Sequence, residues 1–223
     1  FTGVSVTKED IGSPTLLAHS GVASLAAKDE DEALEVFESL IEFLPDNHLC
    51  DIPVSYTDDE IGRETKLARE AVPENAQAGY DMREVIGDIC DEDSVLEIRP
   101  NYAPNMLTCF ALLNGRAIGI IANQPISRAG TIDIEASRKA ARFVSICDAY
   151  NIPILTLVDT PGFEPGKDLE WRGMIRHGAE LVYAYAVASV PRLCLIIRKS
   201  YGGAYIVMDS KNLGNDWCGA WPT

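Results

Sequence analysis

Two adjacent glycines, Gly202 and Gly203, carry the clearest chemical signal in the sequence. They follow the apolar run Arg192–Arg198 and precede Ala204-Tyr205-Ile206-Val207-Met208. That order reads as a strand, a tight junction and the first turns of a buried helix. Without a Cβ, each glycine lets a ligand come close to the backbone. The first amides of a helix have no intrahelical acceptor and carry the positive end of its dipole. Gly203 and Ala204 can therefore present two N–H donors to a developing oxyanion. A turn whose glycines serve only strand-to-helix packing would use the same spacing.

A second loop, Asp159-Thr-Pro-Gly-Phe-Glu-Pro-Gly166, follows the apolar run Ile152–Val158. In an open α/β sheet, ligands bind at the carboxyl ends of the strands, and both loops leave from such ends. Gly162 and Phe163 are its candidate ligand contacts; a rigid connection is the plain alternative. A third strand-end loop holds Asn123-Gln124-Pro125 and Ser127-Arg128-Ala129-Gly130, where Asn123 and Gln124 either hydrogen-bond a ligand amide or only end the strand. Asp159-Thr-Pro-Gly162 resembles the Asp-x-x-Gly element of GTPases, yet no Gly-x4-Gly-Lys-[Ser/Thr] phosphate loop accompanies it. The histidines His19, His48 and His177 sit near no Gly-x-Ser-x-Gly elbow. Asp168 and Glu170 read as solvated. What remains is an anion-stabilising backbone with no side-chain base. That combination suits enolate chemistry in which the base belongs to the substrate or cofactor.

The positioning elements follow from periodicity. Asp29 caps an amphipathic helix with Leu34, Phe37, Ile41 and Leu44 on one face. Residues 1–28 show weak periodicity and read as irregular. Residues 46–79 are polar and broken by Pro53, Pro73 and Gly79, with one short helix near Glu64–Ala71. Asp81 caps a helix to Cys90, and Val95–Arg99 is a short strand. Met106–Leu113 and Ala117–Asn123 flank Asn114-Gly115-Arg116, a hairpin signal. Helix Ile134–Tyr150, strand Ile152–Val158, helix Trp171–Ala188, strand Leu193–Ile197 and a helix from Ala204 then alternate, which predicts an α/β fold. With Leu193–Ile197 as the last strand, a buried sheet edge is expected to need cover.

The 223 residues carry a formal net charge of −15, and Lys and Arg form no basic stripe. A nucleic-acid surface is not expected. No apolar run is long enough to cross a membrane, and Phe1-Thr2-Gly3-Val4 shows no leader pattern. The six cysteines, Cys50, Cys90, Cys109, Cys147, Cys194 and Cys218, form no Cys-x-x-Cys pair. Free thiols, no metal site and a reducing compartment are expected.

Six motifs occur in order: Ile121-Ala-Asn-Gln-Pro125, Lys139-Ala-Ala-Arg-Phe143, Asn151-Ile-Pro-Ile154, Leu157-Val-Asp-Thr-Pro-Gly-Phe163, Pro165-Gly166 and Arg198-Lys-Ser-Tyr-Gly-Gly-Ala-Tyr205. Together they resemble the carboxyltransferase (β) subunit of biotin-dependent acyl-CoA carboxylases, of the propionyl-CoA/acetyl-CoA type. The resemblance covers only the middle portion of that subunit. It implies a partial crotonase-like ββα superhelix. Residues 1–45 would be the end of a first carboxyltransferase domain, 46–79 a linker, and 80–223 an incomplete second, biotin-side domain. It implies biotin on a separate carrier protein or domain, a biotin carboxylase partner, an acyl-CoA substrate, a homo-oligomer and no bound metal. It also implies a cytoplasmic setting, or the mitochondrial matrix in a eukaryote. The Gly203 and Ala204 amides would hold charge on the biotin ureido oxygen, with Gly202, Tyr205, Ile206, Gly162, Phe163 and Asn123 lining the substrate side. Ile206 would leave an apolar floor for the acyl end. A decarboxylase or transcarboxylase subunit shares these motifs. The glycines that serve the thioester in the first domain have no counterpart here, so these residues alone are expected to be inactive, and a truncated binding module is the non-catalytic alternative.

Overall fold

The computed structural model describes residues 5–223; the opening Phe1–Val4, read above for a leader, lies outside them. In chain order the elements are α1 (Lys8–Gly12), α2 (Pro14–His19), α3 (Glu30–Glu42), α4 (Lys66–Ala71), α5 (Met82–Ile89), β1 (Leu96–Glu97), β2 (Met106–Leu113), β3 (Arg116–Asn123), α6 (Ile134–Ala149), β4 (Ile154–Thr160), α7 (Lys167–Trp171), α8 (Met174–Val187), β5 (Arg192–Ser200), α9 (Gly202–Val207) and β6 (Trp217–Ala220). The six strands form one sheet in sequence order, antiparallel from β1 to β3 and parallel from β3 to β6.

Alternation along the strands explains the layering. On β2, Met106 and Phe110 face one core cluster, while Leu107, Cys109 and Ala111 face another. The first cluster packs under α6 and α8 through Phe143, Val144, Leu181 and Tyr185. The second packs under α4 and α5 through Ala68, Met82, Val85 and Ile86. The sheet is thus covered on both faces, as its nearly unbroken apolar central strands require. The β2–β3 turn places Asn114 and Gly115 at φ 52° and 71°, the backbone a two-residue hairpin needs. Asp91 accepts from both turn amides, at 2.8 and 2.7 Å.

Residues 46–79 lie against this body. Val54 bridges to Arg116. Arg63 pairs with Asp59 at 2.6 Å and Asp88 at 3.2 Å. Helix α3 touches the sheet at its end, where Phe43 stacks on Phe110 at 5.7 Å. Of the expected face, Leu34, Phe37 and Ile41 are exposed among the described residues, while Leu44 makes core contact together with Leu40.

Four expectations need correction. The irregular opening contains α1 and α2, set by a Thr7–Asp10 capping box and by Ser13 capping a helix with Pro14 in its first turn. Strand β4 runs two residues later than expected, to Thr160. The helix expected over Trp171–Ala188 breaks into α7 and α8 at Gly173, whose φ is 86°. The edge is β6, a strand the sequence reading missed, which pairs in parallel with β5 from Leu193↔Trp217 to Ile196↔Ala220. Buried Arg192 makes that return possible. It donates to Asp209, to Leu213 O at 3.1 Å and to Gly214 O at 2.9 Å.

Lys139 of α6 is fully buried, and its Nζ donates to the carbonyls of Tyr102 (2.8 Å) and Ala103 (3.4 Å). Burial lowers its pKa to about 8, against the opposing pull of Glu97. An unfolded lysine titrates near 10.4, so between about pH 8 and 10.4 the unfolded chain binds the extra proton. Stability attributable to Lys139 therefore rises with pH across that window. Lys139→Met is expected to remove this term. Denaturant unfolding of both proteins from pH 7.5 to 10.5 should show their difference changing in the wild type's favour, and a pH-independent difference would refute it.

Candidate functional site

Strands β4 and β5 are parallel neighbours, so their carboxyl ends emerge side by side. Their register jumps from Val158↔Ile196 to Thr160↔Ser200. The extra residues on β5 form a bulge that turns Arg198 and the Lys199 amide onto Asp159. Asp159 is fully buried. Its Oδ2 accepts from Tyr80 Oη at 2.9 Å and Arg198 Nε at 3.1 Å, and its Oδ1 accepts from the Lys199 amide at 3.1 Å. Burial, then the Asp159 charge, pushes the Tyr80 phenol far above its usual pKa, so it stays a donor. Arg198 also donates to the carbonyls of Asn75 and Ala78, both at 2.9 Å, and lies 5.0 Å from the Tyr80 ring centroid. This network fixes the floor beneath the two loops. No sequence signal groups Tyr80, Asp159 and Arg198, because up to 118 positions (198 − 80) separate them along the chain.

The loop above the floor is held separately. Ile132 N donates to Gly162 O at 3.1 Å and Glu164 N to Ile132 O at 3.0 Å. Gly162 sits at φ 151°, a backbone other residues rarely adopt. This presents Phe163 to the glycine junction. A Cβ on Gly203 would stand 3.5 Å from the Phe163 ring, and one on Gly178 of α8 would stand 3.2 Å from it. The ring therefore bridges α8 and α9.

Helix α9 begins at Gly202, whose φ is 58°. Its N-cap is Tyr201, which supplies no side-chain acceptor. By contrast, Asp29, Asp81 and Asp133 each cap their helices through a carboxylate. A Ser or Asp at position 201 would engage one of the free amides. The N–H groups of Gly203 and Ala204 find no acceptor among the described residues. Gly202 and Gly203 are exposed and Ala204 is buried beneath them. The result is an open, uncapped donor pair with no Cβ above it, which can hold a negatively charged oxygen.

The structure thus gathers Gly162, Phe163, Gly202, Gly203 and Ala204. Ile206 is 43% exposed on the same short helix. Two other expected contacts have protein partners of their own. Asn123 is fully buried, and its Oδ1 accepts from the Asp159 amide at 3.2 Å. Tyr205 lies beside Cys218 of β6; burial first, then the Cys218 and Cys194 thiols, raise its pKa. His177 is engaged by Glu180 at 2.9 Å. Among the described residues no group of three His, Cys, Asp or Glu side chains is placed for a metal, and no helix is long and apolar enough to cross a membrane.

Fold and site together define a crotonase-like protein with a pair of uncapped backbone amides at the carboxyl ends of parallel strands. The chain belongs to the carboxyl transferase domain family, whose family model matches residues 1–223. It is 49% identical over 231 residues to the propionyl-CoA carboxylase beta chain of Saccharopolyspora erythraea, covering 100% of this chain and 42% of that protein. It is 47% identical over 225 residues to the methylmalonyl-CoA decarboxylase subunit alpha of Veillonella parvula, covering 100% and 44%. The solved structure of transcarboxylase 12S, described as a hexamer assembly, superposes with a TM-score of 0.96 at 42% identity over 99% of this chain and 44% of that one. The chain therefore spans less than half the length of these relatives.

Proposed function

We propose that the polypeptide carrying this chain transfers a carboxyl group between biotin on a separate carrier and the α carbon of a short acyl-CoA, acetyl- or propionyl-CoA. The observation that carries this reading is the pair of free amides at Gly203 and Ala204, uncapped and open above two glycines. They fit a biotin ureido oxygen: a Cβ on Gly202 would meet no atom within 4 Å, and one on Gly203 only the Phe163 ring, at 3.5 Å. When bound, biotin would supply the carboxyl group, released as CO2, and the nitrogen freed by that release would be the base that takes the α-proton before the carbon accepts the CO2. The amides donate to the oxygen on which charge gathers. Phe163 holds the amides' helix against α8, and Ile206 offers an apolar wall to the acyl end. No side chain here needs to act as base, which agrees with the engagement of His177 elsewhere. Donors for the thioester would come from a first crotonase-like domain, of which residues 1–45 form the end. Residues 46–79 would connect it to the biotin-side domain, 80–223, in a cytoplasmic homo-oligomer working with a biotin carboxylase subunit.

A second reading runs the same transfer in reverse, in a decarboxylase or transcarboxylase. The near-equal identities to a carboxylase chain and a decarboxylase chain favour neither direction. The test is carboxyl exchange between biotin and acetyl-, propionyl- or methylmalonyl-CoA by the full natural polypeptide. Exchange with at least one is expected, and none with any would refute carboxyl transfer. Ile206→Asp should change the propionyl-to-acetyl ratio of kcat/KM by about tenfold, the scale of one methylene in an apolar pocket; an unchanged ratio would remove Ile206 from the acyl contact.

A further inference from the structure

A second concave site lies away from Gly203 and shares no residue with it. It is a pocket of about 800 Å³ between α6, α8 and the Ser20–Val22 segment, within the size range of small-molecule sites. Arg99, Arg138, Lys139, Arg142 and Arg176 line it, against a single carboxylate, Glu180. That carboxylate is already engaged by His177. Five of the chain's 19 Lys and Arg residues thus converge on one pocket of a protein with net charge −15.

These cations are not spent on internal ion pairs. Among the described residues none of Arg99, Arg138, Arg142 or Arg176 has a carboxylate oxygen within 4.0 Å, whereas Arg63, Arg83, Arg128, Arg172, Arg192 and Arg198 all do. Arg99 is only 7% exposed, and its buried Nε has no hydrogen-bond partner. Burial, then the charge of Arg142, lowers its pKa. A buried, unpaired guanidinium is costly unless an anion reaches it. Guanidinium forks match phosphate oxygens two at a time, and several forks around one cavity exceed what a lone carboxylate can satisfy.

We infer that this pocket binds a compact anion bearing two or more phosphate groups. Titration calorimetry on the full natural polypeptide at low and physiological salt would test it, with inorganic pyrophosphate and inorganic phosphate as probes. Pyrophosphate is expected to bind more tightly than phosphate by about tenfold or more, given its extra charge and oxygens. Arg138 and Arg142 are exposed, so Arg138→Gln/Arg142→Gln should fold while weakening pyrophosphate about tenfold or more. Arg142→Lys should not restore affinity, and Arg116→Gln, a surface arginine outside the pocket, should leave it unchanged. Displacement of pyrophosphate by ADP but not by CoA would identify a free nucleotide as the source of the phosphates, and displacement by CoA the thioester substrate; either supports the site. In the first case carboxyl transfer should be unaffected in the double variant, and in the second the KM for the acyl-CoA should rise about tenfold with kcat unchanged, so pyrophosphate binding stands apart from the proposed activity. No pyrophosphate binding by the wild type, or equal binding by the double variant, would overturn the inference.

Discussion

On the proposed function, Gly203→Pro in the full natural polypeptide is expected to lower carboxyl transfer by about 10²–10³-fold, the cost of one oxyanion donor. Proline is suited to this test because it deletes an N–H without deleting a helix turn. Gly203 is the second residue of α9, and amides of a first turn have no intrahelical acceptor to lose. The residue that must accommodate the proline ring is Gly202, itself at φ 58° and free of a Cβ. Gly203→Ala supplies the contrast. It keeps the amide, and its Cβ would meet the Phe163 ring at 3.5 Å, an ordinary contact. Ala is therefore expected to lose less turnover than Pro, since it keeps the donor and adds only a Cβ beside the bound oxygen, with both variants keeping the wild-type thermal midpoint. Equal loss in both would mean that the missing Cβ, and not the amide, is what the site needs at this position. Full activity in the proline variant would remove the amide from the mechanism.

The glycine junction and the loop around Phe163 were legible in the sequence because each rests on local signals. Glycine follows an apolar strand at Gly202, and turn-forming residues crowd Asp159–Gly166. The same holds for the β2–β3 hairpin, where Asn114-Gly115 dictates both positive φ angles. What escaped was set by long-range pairing. Strand β6 is four residues, half-exposed, and bears no alternation; it exists because Arg192 gathers Asp209, Leu213 and Gly214 beside the start of β5. Asn123 looked like a ligand contact because it ends a strand. Its burial and its bond to the Asp159 amide come from the neighbouring strand, which spacing does not reveal. The break at Gly173 carried its own sign, a glycine, but the apolar periodicity on either side hid it.

Asp159→Asn is expected to destabilise the fold by about 3–5 kcal/mol, the cost of leaving a buried charge without its partner. The carboxylate is fully buried and faces two cations whose side chains are only 6% and 12% exposed, Arg198 at 3.1 Å and Lys199 at 3.6 Å. Asparagine keeps the shape but loses the charge. One of its two polar atoms becomes an NH2 group, set against donors from Tyr80, Arg198 or the Lys199 amide. The damage should spread to residues 73–78, since the guanidinium that holds the carbonyls of Asn75 and Ala78 is itself oriented by Asp159. Two readouts follow. Denaturant unfolding should shift by the stated amount, and limited proteolysis should cut faster near Pro73–Gly79. Arg198→Lys should reproduce the proteolytic effect with a smaller loss of stability, because lysine keeps the charge beside Asp159 but lacks the fork that reaches several oxygens at once. An Asp159→Asn protein with an unchanged midpoint would show that the network orients the loops without stabilising them. Unchanged cleavage as well would show that residues 73–78 are held by their other contacts.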